Sequence, residues 1–275
     1  MSQEKPAISS GFTSINGINI HYLYAGEGNP IVLLHGIPTY SYLWRNIIGP
    51  LSAKGRVLAP DLPGYGLSDK PVDAPYTTDF FTDALNGFID ALGLDKISLV
   101  VHDLGGPVGM LWAVNHVDRV ERIVILNTLV YPHFSLSMKL LLLSARIPGL
   151  RNWLSGLSGI AYTMKWGVYN LDVMTPELIS SYQAPFKDIN TRHAYIKTLT
   201  AMKPDILTEI VPKLIKMNQP IHLVCGEKDN LLSGEMHQLK KYLPEAGYIS
   251  INDCGHFVPE DQTEKLLEVL TELFA

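Results

Sequence analysis

Asp103 is the residue in this chain that is best placed to do chemistry. It follows a short apolar run, residues 97–101, and precedes residues 108–117, whose composition predicts a helix. A strand that turns sharply into a helix presents the residue at its apex, and Gly105 supplies the small residue that such a turn needs. A carboxylate presented in this way can attack an electrophilic carbon and form an ester with it. The sequence therefore predicts that Asp103 is a nucleophile.

Two further polar residues follow predicted strands near the end of the chain. Asp229 comes after the apolar run 221–225, and His256 comes after the run 248–251. Reactive side chains in open parallel sheets gather at the carboxyl ends of the strands, so we expect both residues to meet Asp103 there. The three residues occur in the order nucleophile, acid, histidine. In catalytic triads with this order, the acid orients the histidine, which acts as the base. We predict that His256 is the base and that Asp229 is its partner.

The elements that would position these residues alternate between short apolar runs and amphipathic stretches. Such runs predict strands that are buried on both faces, and the stretches between them have helical spacing. The eight predicted strands are residues 12–15, 18–24, 31–34, 56–60, 97–101, 122–126, 221–225 and 248–251. The first two meet at Asn16-Gly17, a strong hairpin signal. The pattern predicts an α/β fold with a doubly wound, mostly parallel, eight-stranded sheet.

The alternation of strands and helices stops between residues 131 and 214. Glycine and proline interrupt short apolar helical segments there, and Trp and Tyr residues are frequent. We predict that residues 131–214 form a helical cap inserted after the sixth strand. The core domain would then consist of residues 1–130 and 215–275.

Composition and charge narrow the range of partners. Hydrophobic residues make up 47% of the chain and charged residues 18%, which is typical of a folded domain with a large core. The formal net charge is -5 and no basic run occurs, which disfavours nucleic acid and anionic membranes as partners. The leucine run at residues 140–143 is far shorter than a membrane span.

Cysteine content and the lack of cofactor motifs in the sequence disfavour disulfide-rich, metal-dependent and nucleotide-dependent proteins. Cys225 and Cys254 form neither a disulfide framework nor a metal cluster. The sequence has no metal-ligand spacing, glycine-rich phosphate loop or dinucleotide fingerprint, so we expect no cofactor and no metal. The polar first six residues lack a signal core, which predicts a cytoplasmic location. The expected partners are a small apolar organic substrate and water, and composition leaves the oligomeric state open.

Several motifs taken together resemble one enzyme family. The motifs are His35-Gly36-Ile37-Pro38-Thr39, residues 41–45, residues 59–71, His102-Asp103-Leu104-Gly105-Gly106, residues 181–186, Gly226-Glu227-Lys228-Asp229 and Gly255-His256-Phe257. They make nearly the whole chain similar to the α/β-hydrolase fold, in the branch of haloalkane dehalogenases and epoxide hydrolases, and nearer to the dehalogenases. The resemblance implies that Asp103 attacks carbon and that His256, held by Asp229, activates the water that cleaves the ester. It also implies that the backbone N–H groups of Ile37 and Leu104 stabilise the oxyanion.

The chain departs from the dehalogenase pattern where the leaving halide would be held. A Trp usually follows the nucleophile in that family, and an Asn follows His-Gly in part of it, but here the two positions are Leu104 and Ile37. An alternative acid position one strand earlier holds the uncharged Asn127, which favours Asp229 as the acid. Donors to a leaving halide or epoxide oxygen would then come from the cap. The pocket candidates are Trp166, Tyr162, Tyr169 and Tyr182, with Trp153 and Tyr195 considered beside them.

Four functions remain open on the sequence. The first is haloalkane dehalogenase-like hydrolysis of a small apolar halide, and the second is epoxide hydrolysis. The third is a relative that binds a small molecule without catalysis, and the fourth is a cofactor-independent oxygenase on the same fold. An ordinary esterase is disfavoured because Asp103 stands where a serine would be.

Overall fold

The computed structural model describes residues 7–128, 136–203 and 206–275, without the side chains of residues 206, 207 and 233. The strands are β1 (Ser9–Ile15), β2 (Ile18–Ala25), β3 (Pro30–Leu34), β4 (Arg56–Pro60), β5 (Ile97–His102), β6 (Val120–Leu126), β7 (Ile221–Gly226) and β8 (Gly247–Ile251). The helices are α1 (Arg45–Leu51), α2 (Thr78–Ala91), α3 (Gly105–Asn115), α4 (Leu136–Ser144), α5 (Pro148–Leu154), α6 (Leu157–Trp166), α7 (Pro176–Gln183), α8 (Ile189–Ala201), α9 (Ile206–Leu214), α10 (Ser233–Tyr242), α11 (Val258–Asp261) and α12 (Thr263–Leu273). The eight predicted strands are all present.

One eight-stranded sheet organises the core, with the strand order β1-β2-β4-β3-β5-β6-β7-β8. β2 pairs antiparallel with β1 and with β4, and the remaining neighbours are parallel. The hairpin turns at Asn16 and Gly17, whose positive φ angles of 49° and 81° suit a two-residue hairpin turn. β5 is buried along its whole length because it lies in the middle of the sheet with helices on its faces. The predicted fold class is confirmed.

The direction in which the sheet is wound switches between β3 and β5. β4 lies on one side of β3, whereas β5 and the strands after it lie on the other. Ligand sites in open α/β sheets form at such a switch, beyond the carboxyl ends of the strands. β3 ends at Leu34 and β5 ends at His102, so the topology brings residues 35–37 close to Asp103.

α3 follows Asp103 almost directly and is buried on nearly every side. Its residues from Gly105 to Val114 are all buried, as expected for an apolar helix beneath the middle of a sheet. The sequence predicted this helix for residues 108–117, but it begins three residues earlier. Pro107 lies in its first turn, where a missing N–H costs no intrahelical hydrogen bond, so the proline did not mark the start of the helix.

Six helices, α4 to α9, separate β6 from β7 in the described part of the chain. This helical insertion follows the sixth strand, where the sequence predicts the cap. The cap boundaries at residues 131 and 214 stay a prediction, and residue 131 lies outside the described residues. The polar residues 1–6 also lie outside them. Among the described residues, no helix is long and apolar enough to span a bilayer.

Asp61 fastens the loop after β4 to the rest of the core. Its Oδ2 atom lies 2.7 Å from His21 Nδ1 and accepts from Leu67 N at 2.8 Å, while its Oδ1 atom accepts from Ser41 N at 2.6 Å. Burial opposes ionisation of this carboxyl, but the bond to His21 and the backbone donors hold its pKa below the ordinary value. Asp61 is therefore a buried charge whose partners come from three separate segments.

Asp61→Ala should lower the free energy of unfolding by about 3–5 kcal/mol, because three donors lose their buried acceptor at a cost of about 1–3 kcal/mol each. Because the pKa is lowered in the folded state, this stabilisation is present above the pKa of an unfolded Asp, about 3.9, and is lost as the pH falls. Urea denaturation at neutral and acidic pH measures both effects. Glu121→Gln breaks the exposed pair with Lys96 and should cost less than about 1 kcal/mol. Equal stability of the two variants would contradict the prediction.

Candidate active site

Asp103 occupies the tight turn between β5 and α3. Its φ of 50° lies in the left-handed region, which costs a non-glycine residue roughly 1–3 kcal/mol unless the surroundings enforce it. Thr128 Oγ1 donates to Asp103 O at 2.5 Å, and Gly106 N donates to the same oxygen at 3.0 Å. Gly105 approaches β3 so closely that a Cβ would lie 2.7 Å from Leu34 O. These contacts enforce the strained turn and explain why glycines follow it.

The carboxylate of Asp103 is buried and is held from the β3 side. Ile37 N donates to Asp103 Oδ1 at 2.7 Å. Gly36 permits this approach, because a Cβ there would collide with the Asp103 side chain. With Oδ1 held, Oδ2 is the oxygen that remains to react with a ligand. Leu104, the second predicted donor, is the N-cap residue of α3, so its N–H lies at the positive end of that helix.

His35 keeps the loop after β3 in place without entering the chemistry. Its Nε2 atom accepts from Leu62 N at 2.9 Å, so Nδ1 carries the proton and donates to Gly36 O at 2.8 Å. Burial lowers the pKa of His35 despite the nearby carboxylates, which keeps the ring neutral. The loop that presents Ile37 N to Asp103 is thereby fixed.

His256 and Asp229 reach the site from the far strands of the sheet. The loops after β7 and β8 carry Asp229 and His256, respectively. His256 Nδ1 lies 3.0 Å from Asp229 Oδ2, and His256 Nε2 lies 3.5 Å from Asp103 Oδ2. The structure thus brings together the three side chains that the sequence predicted as nucleophile, base and acid.

Backbone donors orient the Asp229 carboxylate. Leu231 N and Leu232 N donate to Asp229 Oδ1 at 2.7 and 2.9 Å, which leaves Oδ2 for the imidazole. His256 Nδ1 is therefore the donor to Asp229, and His256 Nε2 faces Asp103. Nε2 is buried and has no hydrogen-bond partner among the described residues, so it is available to a ligand or a water molecule.

Buried charges set the protonation state of the site. Burial opposes a charge on His256, but Asp229 and Asp103 outweigh it and raise the pKa of His256 to about 10. Burial also opposes ionisation of Asp103, and pairing with His256 holds the pKa of Asp103 below its ordinary value. Both shifts favour a carboxylate at Asp103 and an imidazolium at His256 in the resting site.

His102 and Asn127 hold the backbone of the loop that carries His256. His102 Nε2 donates to His256 O at 2.9 Å, and burial together with the neighbouring His256 lowers the pKa of His102 to about 4. Asn127 Nδ2 donates to Gly255 O at 2.9 Å, while its Oδ1 accepts from Gly226 N at 3.0 Å. The residue at the alternative acid position is therefore a clamp between the end of β7 and this loop.

A cavity of about 310 Å³ lies over Asp103 and His256. Its walls are mostly apolar and come largely from the cap helices α4, α5, α6 and α8. The aromatic residues that the cap contributes are Trp153, Tyr162, Trp166 and Tyr195. The volume is close to the lower end of the range of about 300–1,000 Å³ found for ligand pockets, which suits a small apolar ligand. No cluster of His, Cys, Asp and Glu in the described residues is arranged to hold a metal ion.

Two of the four cap candidates need correction. Tyr182 is buried outside the cavity, where its hydroxyl donates to Glu260, a carboxylate that also pairs with Arg45. Tyr169 is 50% exposed and does not line the cavity either, and its described hydrogen bond runs from its backbone N–H to Asp261. The other two candidates, Tyr162 and Trp166, do line the cavity.

Tyr195 is the buried phenol of the cavity. Burial and the charge of Asp103 raise the pKa of Tyr195 well above its ordinary value and outweigh the opposing effect of a hydrogen bond with Thr163, so the hydroxyl stays neutral. The sequence carried a partial signal for this residue. Thr191, Tyr195 and Thr198 share the buried face of α8 at helical spacing, but the spacing does not say whether that face meets a cavity or the core.

Known proteins resemble this chain in sequence and in fold. The α/β hydrolase fold family matches residues 29–263. A cis-3-alkyl-4-alkyloxetan-2-one decarboxylase from Shewanella oneidensis is 30% identical over 271 residues, which cover 93% of this chain and 85% of the relative. A soluble epoxide hydrolase from a Corynebacterium species is 29% identical over 273 residues and 95% of each chain. The crystal structure of the haloalkane dehalogenase DatA from Agrobacterium tumefaciens has a TM-score of 0.87 and 27% identity, covering 97% of this chain and 96% of DatA.

The match over most of its length means that this chain belongs to the α/β-hydrolase fold family, in the branch that contains haloalkane dehalogenases and epoxide hydrolases. It is an enzyme of that family. The family resemblance and the enzyme class predicted from the sequence are both confirmed.

Removing the charge of Asp103 should lower the pKa of His256. In Asp103→Ala we expect a fall of about 1–3 pH units, the usual effect of one close opposite charge. Imidazole NMR titration measures it, with Glu121→Gln as the control that leaves His256 unchanged. The raised pKa stabilises the wild type fully below about pH 6.5, and this stabilisation is lost as the pH rises through about 10. An unchanged pKa of His256 in Asp103→Ala would refute the electrostatic coupling between the two residues.

Proposed function

We propose that this enzyme hydrolyses a small apolar alkyl halide in two steps, with Asp103 as nucleophile, His256 as base and Asp229 as the acid that orients it. The observation that carries the proposal is the environment of the Asp103 carboxylate. One oxygen is held by Ile37 N at 2.7 Å, and the other lies 3.5 Å from His256 Nε2 beside an apolar cavity. A serine or cysteine esterase would have a hydroxyl or thiol at this position.

In the first step, Asp103 Oδ2 attacks the substrate carbon. The new bond joins Oδ2 to carbon, the carbon–halogen bond breaks, and the halide leaves with the bonding electrons. The lowered pKa of Asp103 keeps the carboxylate ionised for this attack. Nothing in the step requires a cofactor or a metal ion.

In the second step, the loss of charge on Asp103 changes His256. An ester carries no charge, so the pKa of His256 falls from about 10 and the imidazolium releases its proton to solvent. Neutral Nε2 then takes a proton from a water molecule whose oxygen adds to Asp103 Cγ. The bond from Cγ to Oδ2 breaks, and the alkoxide takes the proton from His256 and leaves as the alcohol. The new Asp103 carboxyl group then gives the second water proton to His256 Nε2, which restores the carboxylate and the imidazolium.

The oxyanion of this second step forms on Asp103 Oδ1. That atom already accepts a hydrogen bond from Ile37 N, so the stabilising donor is in place before the reaction. The N–H of Leu104, at the positive end of α3, is the second proposed donor. Asp103 itself becomes the acyl group of the ester. The same backbone donors therefore hold the nucleophile before the attack and stabilise the oxyanion after it.

Tyr195 is the proposed donor to the leaving group. The positions that hold halide donors in dehalogenases are Leu104 and Ile37 here, and Ile37 N is already bonded to Asp103. A neutral phenol in the cavity can donate to a halide, and it can also transfer its proton to the oxygen of an opening epoxide. Epoxide hydrolysis is therefore the second candidate function.

The proposed setting is the cytoplasm, with a small apolar substrate and water as the partners. Cys225 and Cys254 are buried and unpaired, as suits a reducing compartment. The apolar walls of the cavity suit a substrate without charge.

Trapping the ester tests the proposed function directly. His256→Phe removes the base of the second step, so incubation with a mixture of bromoalkanes, iodoalkanes, epoxides and a cis-dialkyloxetan-2-one should leave a covalent adduct on Asp103. Intact mass and peptide mapping identify the residue and the alkyl group. The double variant Asp103→Ala/His256→Phe is the control and should remain unmodified. Absence of an adduct from every member, in a folded protein, would overturn the proposal.

Tyr195→Phe separates the two candidate leaving groups. Loss of a general acid typically costs about 10²–10⁴-fold, so epoxide opening should fall by at least about a hundredfold in kcat/KM. Halide release needs only a hydrogen bond to the leaving ion, so kcat/KM for halide release should fall by about tenfold. Diol formation and halide release are measured in parallel, and Tyr169→Phe, outside the cavity, is the matched control. Unchanged rates with both substrate classes would remove Tyr195 from the mechanism.

A further inference from the structure

Two backbone segments from different parts of the fold lie against each other beside the site. The cap segment, residues 167–170, follows α6, and the His256 loop, residues 253–257, follows β8. The N–H groups of His256 and Phe257 both donate to Gly167 O, at 2.6 and 3.2 Å. The backbone of the proposed base is thus bonded directly to the cap.

Asp261 joins the same two segments with its side chain. Its Oδ2 atom accepts from Gly255 N at 2.6 Å and from Tyr169 N at 2.6 Å, and its Oδ1 atom accepts from Asn170 N at 2.9 Å. The side chain is largely buried, with 7% of the residue exposed. One carboxylate therefore receives three backbone donors, one from the His256 loop and two from the cap segment.

The two segments approach so closely that side chains are excluded from the contact. A Cβ on Gly255 would lie 2.6 Å from Gly167 O and 2.8 Å from Tyr169 N. A Cβ on Gly167 would collide with the ring of Phe257. Close packing of this kind leaves little room for one segment to shift without the other.

We propose that Asp261 is a positioning residue that ties the alignment of His256 to the cap segment. The proposal rests on the function proposed above and assigns Asp261 to its second step. Asp103 is held by Ile37 N and by Thr128 beside the turn before α3, and the described side-chain hydrogen bonds of Asp261 involve neither residue. His256 is held on the cap side through Gly167 and Gly255, so loss of the Asp261 carboxylate loosens the base and leaves the nucleophile in place.

The same contact positions the cavity wall. Trp166 lines the cavity and immediately precedes Gly167, so the cap segment fixes this indole relative to His256. The contact therefore anchors this end of the cap beside the loop that carries His256.

Glu260 is the matched comparison for Asp261. It is the preceding residue of the same helix, is also buried, and also links core to cap, because it pairs with Arg45 and accepts from the Tyr182 hydroxyl. The described hydrogen bonds of its side chain go to Arg45 and Tyr182, and the bond from Glu260 N to Phe257 O is a backbone bond that Glu260→Gln leaves in place. Glu260→Gln therefore reproduces a general weakening of the cap contact without the proposed effect on the base.

Asp261→Asn should slow ester hydrolysis selectively. An amide NH2 cannot accept an N–H donor, so at least one of the three bonds is lost. Misplacement of a reacting group by about 1 Å can cost about a hundredfold, and we expect kcat to fall by about ten- to a hundredfold. KM should fall in parallel, because kcat/KM reports ester formation, which does not need His256. Intact mass should show the alkyl ester on Asp103 during turnover, and Glu260→Gln should not accumulate it.

Amide hydrogen exchange tests the same coupling without turnover. In Asp261→Asn the peptides that contain residues 167–170 and 253–257 should both exchange faster than in the wild type, whereas Glu260→Gln should leave them unchanged. Gly167→Ala, whose Cβ meets Phe257, is the second variant if Asp261→Asn does not fold, and it should show the same exchange and ester accumulation.

Three results would overturn the positioning role. One is a fall of kcat and kcat/KM by equal factors at constant KM without ester accumulation, as expected from loss of folded enzyme. Another is accumulation of the alkyl ester on Asp103 in Glu260→Gln to the same extent as in Asp261→Asn. The third is unchanged exchange of both segments in Asp261→Asn and Gly167→Ala. Failure of the proposed function itself is recognised separately, by a His256→Phe protein that forms no adduct while the exchange results still stand.

Discussion

The negative charge of Asp103, buried beside an imidazole, is the interaction on which the rest of this site depends. It holds a proton on His256 at rest, since Asp229 and Asp103 together raise the pKa of His256 to about 10. The first chemical step would remove that charge, and the base would become available only when there is an ester to hydrolyse. The strained turn at Asp103 serves this arrangement, because it brings the carboxylate to Ile37 N on one side and His256 Nε2 on the other.

The relatives of this chain differ in the substrates that their names give. A haloalkane dehalogenase, an epoxide hydrolase and an oxetanone decarboxylase all resemble it over most of its length. Each of their named substrate classes contains an electrophilic carbon bonded to a halogen or to a ring oxygen. In the proposed mechanism leaving-group recognition falls to the cap, because Leu104 and Ile37 have apolar side chains at the positions where the resemblance to dehalogenases implies halide donors.

Much of the core was predictable because its elements are local and its geometry is regular. The apolar runs of β3, β5, β7 and β8 are buried as predicted, and Asp103, Asp229 and His256 each follow one of the last three. The cap was less predictable. Tyr169 and Tyr182 were expected in the pocket, but one ring faces solvent and the other hydroxyl is bonded to Glu260, a residue 78 positions away in the sequence.

The sequence by itself determined which residue types lie at the sheet edge: an aspartate where a serine could stand, and an acid and a histidine after later strands. Parallel strands end at one edge, so residues after them must meet there whatever the loops do. Only the tertiary structure decided that Tyr195 faces the cavity and that Asp261 binds both the cap segment and the His256 loop. Helical spacing indicates which face of a cap helix is buried, but contacts between distant segments determine what that face meets.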